Sequence, residues 1–338
     1  FGYSNIMYLT AGEIISAVSG MNYDDFIKTK FFAPLGMNST NSSVKNNPTT
    51  NVAAPHAQVN DKNITIPYVD WDNMAPAGSV NSNIEDLSKW VRMWLSKGKF
   101  NDKEIIKPSS ITQLWNVVTP QPVNVGAPGP RGNIQMGGYA LGWNVIIYRG
   151  IRVVNHSGGL DGMISHTVLL PEKNMGFVIL CNAGVSLPGA MIYDIIDHVC
   201  GFEFNNYIGN ILARTNEYKK NDAFEQAKID KERNPDKKPS LLLTDYEGTY
   251  SGNVYGAVKI SINKKAEMWM TFEHTPTFKA KLEHWHSNHY VFEFKEHPSL
   301  PRGWVTFNLT PDGKKVYDMK VDLPNPDFDF TELDLIKQ

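Results

Sequence analysis

Two places in this 338-residue chain carry side chains that could do covalent chemistry together. Near the start, Tyr3 and Asn5 stand two apart at the mouth of an amphipathic stretch, so a phenol and a carboxamide can lie side by side. Much later, His156-Ser157-Gly158-Gly159 brings an imidazole beside two residues without side chains. Acyl transfer needs a nucleophile, a base, a group to protonate the leaving atom, and N–H groups aimed at the oxyanion. Taken singly, a tyrosine near a helix start is most often packing, and His-Ser-Gly-Gly is most often a turn. The weight rests on their order and company.

Three internal segments have the Ser-x-x-Lys spacing of a serine nucleophile with a lysine base: Ser42–Lys45, Ser96–Lys99 and Ser261–Lys264. A catalytic lysine must be desolvated to lose its proton. The first segment lies in a polar loop, the second at the exposed end of a helix beside Gly98, and the third at a strand–turn junction. None has apolar surroundings, and all follow Tyr3. They read as chance matches. His284, His286 and His289, with His274 nearby, raise the question of a metal, and positions 284 and 286 share one strand face. No acid or cysteine is placed to complete such a site, so structural or surface histidines are the better reading, and neither a metal nor a cofactor is expected.

The elements that must position Tyr3, Asn5 and His156 follow from periodicity. Met7, Ala11, Ile14, Ile15 and Val18 recur at helical spacing, with Gly20 as a stop. A second short helix spans Tyr23–Phe32, and Pro34-Leu35-Gly36-Met37 turns the chain. Residues 38–75 are polar and turn-rich, with little regular structure expected. Ser82-Asn83-Ile84-Glu85 has capping-box spacing ahead of a stripe formed by Ile84, Leu87, Val91, Trp94 and Leu95. Ser110–Val118 reads as a helix and Pro120–Gly138 as loop. From Gly142 the period is that of strands: Trp143–Tyr148 with Ile151–Asn155, and Ile164–Leu170 with Met175–Asn182. A helix opens at Pro188. Residues 203–240 form a charged helix and linker. From Leu241 the chain alternates in short strands, from Tyr246–Tyr250 to Phe328–Leu333, which argues a small β-barrel or sandwich. The fold class expected is α/β, an antiparallel sheet plus helices over 1–202, followed by an all-β domain over 241–338.

Tyr3-Ser4-Asn5, Gly12-Glu13-Ile14-Ile15, Val18-Ser19-Gly20, Pro34-Leu35-Gly36-Met37 and His156-Ser157-Gly158-Gly159 together resemble the penicillin-recognising serine hydrolases. That family includes class C β-lactamases, D-Ala-D-Ala carboxypeptidases, esterases and D-amino-acid peptidases. The resemblance implies that Tyr3 shuttles a proton with a lysine of a Ser-x-x-Lys motif expected upstream of this chain, in the same gene or as a separate polypeptide. It implies that Asn5 bonds that lysine and the substrate amide. His156 would stand where the family more often has lysine, polarising Tyr3 or a substrate carboxylate. Ser157 and Gly158 would line the strand on which the substrate lies, and the Gly159 N–H would be one of two oxyanion donors. A neutral imidazole grips a carboxylate less firmly than an ammonium, and this tilts the expectation from β-lactams toward D-amino-acid peptides, cell-wall fragments or small esters. Pro76-Ala77-Gly78 either lines the wall of that site or only starts a helix. Leu282-Glu283-His284-Trp285-His286 resembles the lipocalin-like domain appended to such hydrolases in bacteria, and the family's habit is periplasmic or secreted.

A net charge of −2 gives no electrostatic case for nucleic acid or an anionic membrane surface. No apolar run is long enough to span a bilayer. Cys181 and Cys200 form no disulfide framework and read as buried thiols. Partners are therefore small-molecule or peptide substrates. The alternative from another class is a non-catalytic binding module or an inactive processed fragment. A carrier role for the C-terminal barrel would require an apolar cavity.

Overall fold

The computed structural model describes residues 1–59, 61–325 and 329–338. Phe1–Gln58 with Pro67–Asn216 form one compact unit, and Val59–Ile66 with Glu217–Gln338 form another.

In the first unit, α1 (Asn5–Ser19) ends at Gly20, which adopts φ 69° and donates its N–H to the Ser16 carbonyl. The stripe expected to be buried is open instead: Met7 is 62%, Ile14 56% and Val18 83% exposed. The face that packs is the one without bulk. A Cβ on Gly12 would meet Pro76 Cγ at 2.2 Å, so glycine is what lets α1 lie against α4 (Ala75–Gly78). Between them, α2 (Tyr23–Ile27) continues through a π turn at Lys28–Phe32 into α3 (Ala33–Leu35). The segment expected to lack regular structure holds a ribbon of β1 (His56–Val59) with β2 (Lys62–Thr65).

Helix α5 (Ile84–Leu95) starts one residue later than the capping-box pattern implies. Asn83 is the N-cap, its Oδ1 accepting the Asp86 N–H at 2.9 Å, while the Ser82 hydroxyl bonds Thr40 at 2.8 Å. A ribbon of β3 (Lys99–Phe100) with β4 (Lys103–Glu104) and the helix α6 (Pro108–Trp115) follow. The sheet is built from β5 (Thr119–Pro120), β6 (Ile134–Tyr139), β7 (Asn144–Tyr148), β8 (Ile151–Leu160), β9 (Met163–Leu170) and β10 (Met175–Cys181). They pair antiparallel in the order β10-β9-β8-β7-β6-β5. The Pro- and Gly-rich stretch expected to be loop thus contains β6. A Cβ on Gly138 would strike Val117 Cγ1 at 2.4 Å and Thr119 O at 2.7 Å, so the glycine that suggests a loop is needed for strand packing.

The alternation that makes these strands also divides the core. Val154 and Leu169 face α5, packing with Val91, Met93, Trp94 and Trp143. Val153, Val168 and Leu170 face the other way, with Ile192 and Ile196 of α7 (Leu187–Cys200). Cys181 and Cys200 are free and half-buried, not buried.

Helix α8 (Tyr207–Lys231) carries the chain into the second unit. There β11 (Gly248–Ser251), β12 (Ala257–Ile262), β13 (Met268–Phe272), β14 (Lys279–His286), β15 (His289–Phe292), β16 (Gly303–Leu309), β17 (Val316–Asp322) and β18 (Leu335–Lys337) close into a barrel in chain order. Inward positions alternate strictly, as in Val258/Ile260, Met268/Met270, Tyr290/Phe292 and Met319/Val321. The first strand begins at Gly248 because Leu243–Tyr246 is a 3-10 turn. The last is Leu335–Lys337; of the stretch expected there, Phe328 lies outside the described residues and Phe330–Glu332 is a 3-10 turn. A single alternating run cannot tell a strand from a turn that buries one aromatic residue, and Tyr246 and Phe330 are both buried in the barrel core.

Asp86 ties α5 to the segment after α3. Its side chain is 4% exposed and accepts from Ser39 N at 2.8 Å, Thr40 Oγ1 at 2.9 Å and Lys89 Nζ at 2.8 Å. Burial alone would raise the carboxyl's pKa, but Lys89, Ser39 and Thr40 outweigh it and hold it below the usual aspartate value. A depressed folded-state pKa contributes stability that is present above the unfolded value and lost as pH falls through the folded one. Asp86→Ala should therefore lower the unfolding free energy in urea at neutral pH by about 2–4 kcal/mol. The gap from the parent should begin to narrow below about pH 4, where the unfolded chain's carboxylate takes its proton, and keep narrowing as pH falls through the lower folded value.

Candidate active site

Strand β8 is paired through to its C-terminal end on one side only. Its ladder with β9 runs to Leu160↔Met163, whereas its ladder with β7 stops at Asn144↔Asn155. Residues 156–160 therefore present an open strand edge inside the sheet. The direction of each backbone group follows from the turns. A two-residue turn, Asp161-Gly162, closes β8–β9, so Leu160 and Met163 exchange both hydrogen bonds. Counting back by two, Gly158 and His156 also face β9. Ser157 and Gly159 point their N–H and C=O groups to the open edge. The Arg149-Gly150 turn of β7–β8, with Tyr148↔Ile151 as its end pair, gives the same phase.

Ser157, Gly158 and Gly159 are exposed and His156 is half-buried. A Cβ on Gly158 would come within 2.5 Å of Ser165 Oγ, so its missing side chain makes room for a β9 neighbour. Beside the open edge stands a cluster of rings. Tyr139 ends β6, and its Oη lies 3.0 Å from His156 Nε2 and is hydrogen-bonded to the Tyr8 hydroxyl. The Tyr3 ring centroid is 6.0 Å from that of Tyr139, 5.9 Å from Tyr8 and 6.1 Å from His156, and Phe1 lies 5.4 Å from Tyr139.

The other ring nitrogen fixes the tautomer. His156 Nδ1 lies 2.7 Å from the Ser157 carbonyl, which can only accept, so Nδ1 carries the proton. Burial pushes the imidazole below its ordinary pKa, against the opposing pull of the Ser157 carbonyl, and His156 is neutral at pH 7. Its Nε2 then accepts from the Tyr139 hydroxyl. Burial, with Tyr8 next in weight, pushes Tyr139 well above the usual phenol range, so it stays protonated.

Of the residues singled out in the sequence, Tyr3 and His156 come together although 153 positions apart. Asn5 is the first residue of α1, half-buried, and its carboxamide makes no hydrogen bond among the described residues. Sequence reasoning missed Tyr8 and Tyr139. Tyr8 lies in the first turns of the helix that Tyr3 leads into, and Tyr139 ends the strand hidden behind Gly137-Gly138. Lys45, of the spacing Ser42–Lys45, bridges Asp70 at 2.6 Å and Asp72 at 2.7 Å, and these bonds raise its pKa, the opposite of what a proton-accepting lysine requires. In the barrel, His284 bonds the Ser287 carbonyl and His289 bonds Thr306. A separate open cleft of about 670 Å³ between α1 and α4, bordered by Glu13, Asp24, Asp72 and Pro76, does not touch the ring cluster.

An antiparallel sheet with helices on both faces, and a phenol–imidazole cluster at an open inner-strand edge, defines a hydrolase-type scaffold of the penicillin-recognising class. The beta-lactamase family matches residues 1–197, and the chain belongs to that family. Residues 232–337 match a domain of unknown function, DUF3471. The chain is 24% identical over 275 residues to unguisins hydrolase ungD' of Aspergillus campestris, covering 77% of this chain and 49% of that protein. It is 26% identical over 224 residues to protein flp of Staphylococcus aureus, covering 65% of this chain and 40% of flp. It thus spans half or less of these relatives. The octameric penicillin-binding protein homologue from Pyrococcus abyssi superposes with a TM-score of 0.52 at 18% identity, covering 100% of this chain and 65% of that one, a likeness of fold.

The Gly12–Pro76 contact sets where α1 delivers Tyr3 and Tyr8. An alanine at 12 gains about 1 kcal/mol in helix propensity, but overpacking against a ring carbon at 2.2 Å costs about 1–3 kcal/mol. Side-chain rotation cannot relieve it. Gly12→Ala should lower Tm and reduce the near-ultraviolet tyrosine circular dichroism of the ring cluster.

Proposed function

We propose that the first unit is the part of a serine hydrolase site that receives the substrate and handles the proton, with the Ser-x-x-Lys nucleophile supplied from outside this chain. The observation that carries this reading is the meeting of Tyr3 with His156 beside the open edge of Ser157–Gly159. An extended amide or ester can add to that edge as a further strand, and the Gly159 N–H is directed to the place where an oxyanion would form. Tyr3 then moves the proton between nucleophile and leaving group, while Asn5 holds the amide. Support for a nucleophile on another segment comes from the apolar stripe of α1, which lies open on the same helix that begins at Asn5.

The reaction on this reading is hydrolysis through an acyl-serine intermediate. The substrate is a D-amino-acid peptide, a cell-wall fragment or a small ester in preference to a β-lactam, because a neutral His156 offers no fixed charge to a carboxylate. Hydrolase relatives, among them the unguisins hydrolase of Aspergillus campestris, are in keeping with this chemistry. A periplasmic or secreted location goes with the same reading. Eight-stranded barrels of lipocalin type hold one small ligand. This barrel is filled by its own Tyr246, Tyr250, Tyr290, Phe292, Phe307 and Met270, so a carrier role is not part of the proposal.

The test is intact-protein mass spectrometry after exposure to a fluorophosphonate, on this chain and on one extended upstream in its gene. A serine adduct on the extended form alone is expected. Tyr3→Phe and His156→Ala should each slow its formation by about 10²-fold or more. Labelling of the short chain would place the nucleophile within residues 1–338, and no labelling of either would leave a binding module.

A further inference from the structure

On β8, His156, Gly158 and Leu160 lie on the same side as Val154, the side that faces α5. Cross-strand partners share a face. β9 therefore sets Thr167 beside His156 and Ser165 beside Gly158, and β10 sets Leu180 beyond Ser165. Gly158, having no side chain, is a dip between His156 and Leu160. A Cβ there would lie 2.5 Å from Ser165 Oγ and 3.9 Å from Ser165 Cβ, so the hydroxyl points over the glycine toward the open edge of β8.

Ser165 and Thr167 are half-buried, and neither hydroxyl makes a hydrogen bond among the described residues. Side-chain hydroxyls drawn out of water normally have a partner. The dip above Ser165 is closed at one end by the His156 ring and at the other by Leu160. Leu160 is backed in turn by the end of α4, its Cδ2 lying 3.7 Å from where a Gly78 Cβ would be. Leu180 is 41% exposed, so the face stays uncovered beyond Ser165.

We propose that Ser165 is a specificity-determining residue of this site, its hydroxyl reaching over Gly158 to hydrogen-bond an uncharged, amide-ended side chain of the substrate. This rests on the reading of Ser157–Gly159 as the edge that receives the substrate. An antiparallel strand added there exchanges hydrogen bonds with Ser157 and Gly159. Its residue between them stands opposite Gly158, about 4.5 Å away between Cα atoms, with its side chain on the Gly158 face. That side chain enters between His156 and Leu160, and about two or three bonds beyond its Cβ bring its end within hydrogen-bond reach of Ser165 Oγ. A charged end finds no counter-charge among a neutral imidazole and two hydroxyls. An aliphatic end covers the Ser165 hydroxyl without replacing the bond it makes to water. An amide brings both a donor and an acceptor to a hydroxyl that is itself both.

The experiment is a ¹⁵N–¹H NMR titration of this chain with two probes, N-acetyl-Gly-Gln-Gly-amide and N-acetyl-Gly-Leu-Gly-amide, and it requires no catalysis. Both peptides should shift the Ser157 and Gly159 amides, and the Gln peptide should bind about 3- to 10-fold more tightly. Ser165→Ala should bring the Gln peptide down to the level of the Leu peptide and leave the Leu peptide unchanged. Ser165→Thr, which keeps the hydroxyl, should retain the preference, and so should Thr167→Val, which removes only the neighbouring hydroxyl. A serine with a purely structural role would move both peptides alike. Equal binding of the two peptides in the parent, or a preference that survives Ser165→Ala, would overturn the role of Ser165 while leaving the edge reading intact. No shift at Ser157 and Gly159 with either peptide would overturn the edge reading itself, and this inference with it.

Discussion

The early end of one ladder governs the site. β7 pairs with β8 only as far as Asn155, and everything of chemical interest follows from the residues left unpaired beyond it. A strand edge in the middle of a sheet is a liability, since its N–H and C=O groups invite any other strand. Here the exposure is confined to a few residues, and part of it is already answered: His156 Nδ1 donates to the outward carbonyl of Ser157. What stays open includes the Gly159 N–H, on a residue too small to shield it. The turns at Arg149-Gly150 and Asp161-Gly162 each close a ladder with two residues, and together they leave no freedom in which backbone groups face outward.

The ring cluster is held from two directions by different physics. From the sheet, Tyr139 arrives on a strand whose glycines let it pack closely beneath its neighbour, so its position is fixed by backbone pairing and sterics. From the helical side, Tyr3 arrives just ahead of α1 and Tyr8 on it, and α1 meets α4 through a glycine set against a proline ring. The sheet side is deeply built, with Val154 and Leu169 fully buried, while α1 presents Met7, Ile14 and Val18 to the outside. An apolar helix face of this kind is costly in water unless something covers it. The half of the cluster that approaches on α1 is thus the half whose placement depends on what packs there.

How much of this could be read from residues alone varies with the kind of information. Strict alternation located β12 and β13 to the residue, because each inward position is filled by an aliphatic, methionine or aromatic side chain against a common core. The pairings of β7 with β8 and of β9 with β10 were legible for the same reason, but the strand expected to end at Asn155 runs on through His156 to Leu160 and pairs with β9. β6 was not, since Gly137 and Gly138 carry a turn signature while serving close packing, and the ribbon at His56–Thr65 hid in a polar stretch for lack of an apolar face. Tyr3, Asn5 and His156 stood out by motif. Tyr8 and Tyr139 have no motif. They are defined by converging on one hydroxyl from elements 131 residues apart, which only coordinates reveal.

The charge state of the cluster bears on what it can recognise. Point charges act over distance, and even at an effective dielectric near 20 an ammonium 4 Å from a carboxylate is worth about 4 kcal/mol. A neutral imidazole whose two nitrogens are both engaged within the protein contributes none of that. Selectivity on the proposed reading then falls to shape, to ring faces and edges, and to the backbone groups of the open strand, whose spacing suits an extended amide. Those groups read the direction and length of a chain, not its charge. A ligand that carries its affinity in a carboxylate gains little here, whereas one that lies along Ser157–Gly159 with apolar substituents against Tyr3 and Phe1 uses what the site has.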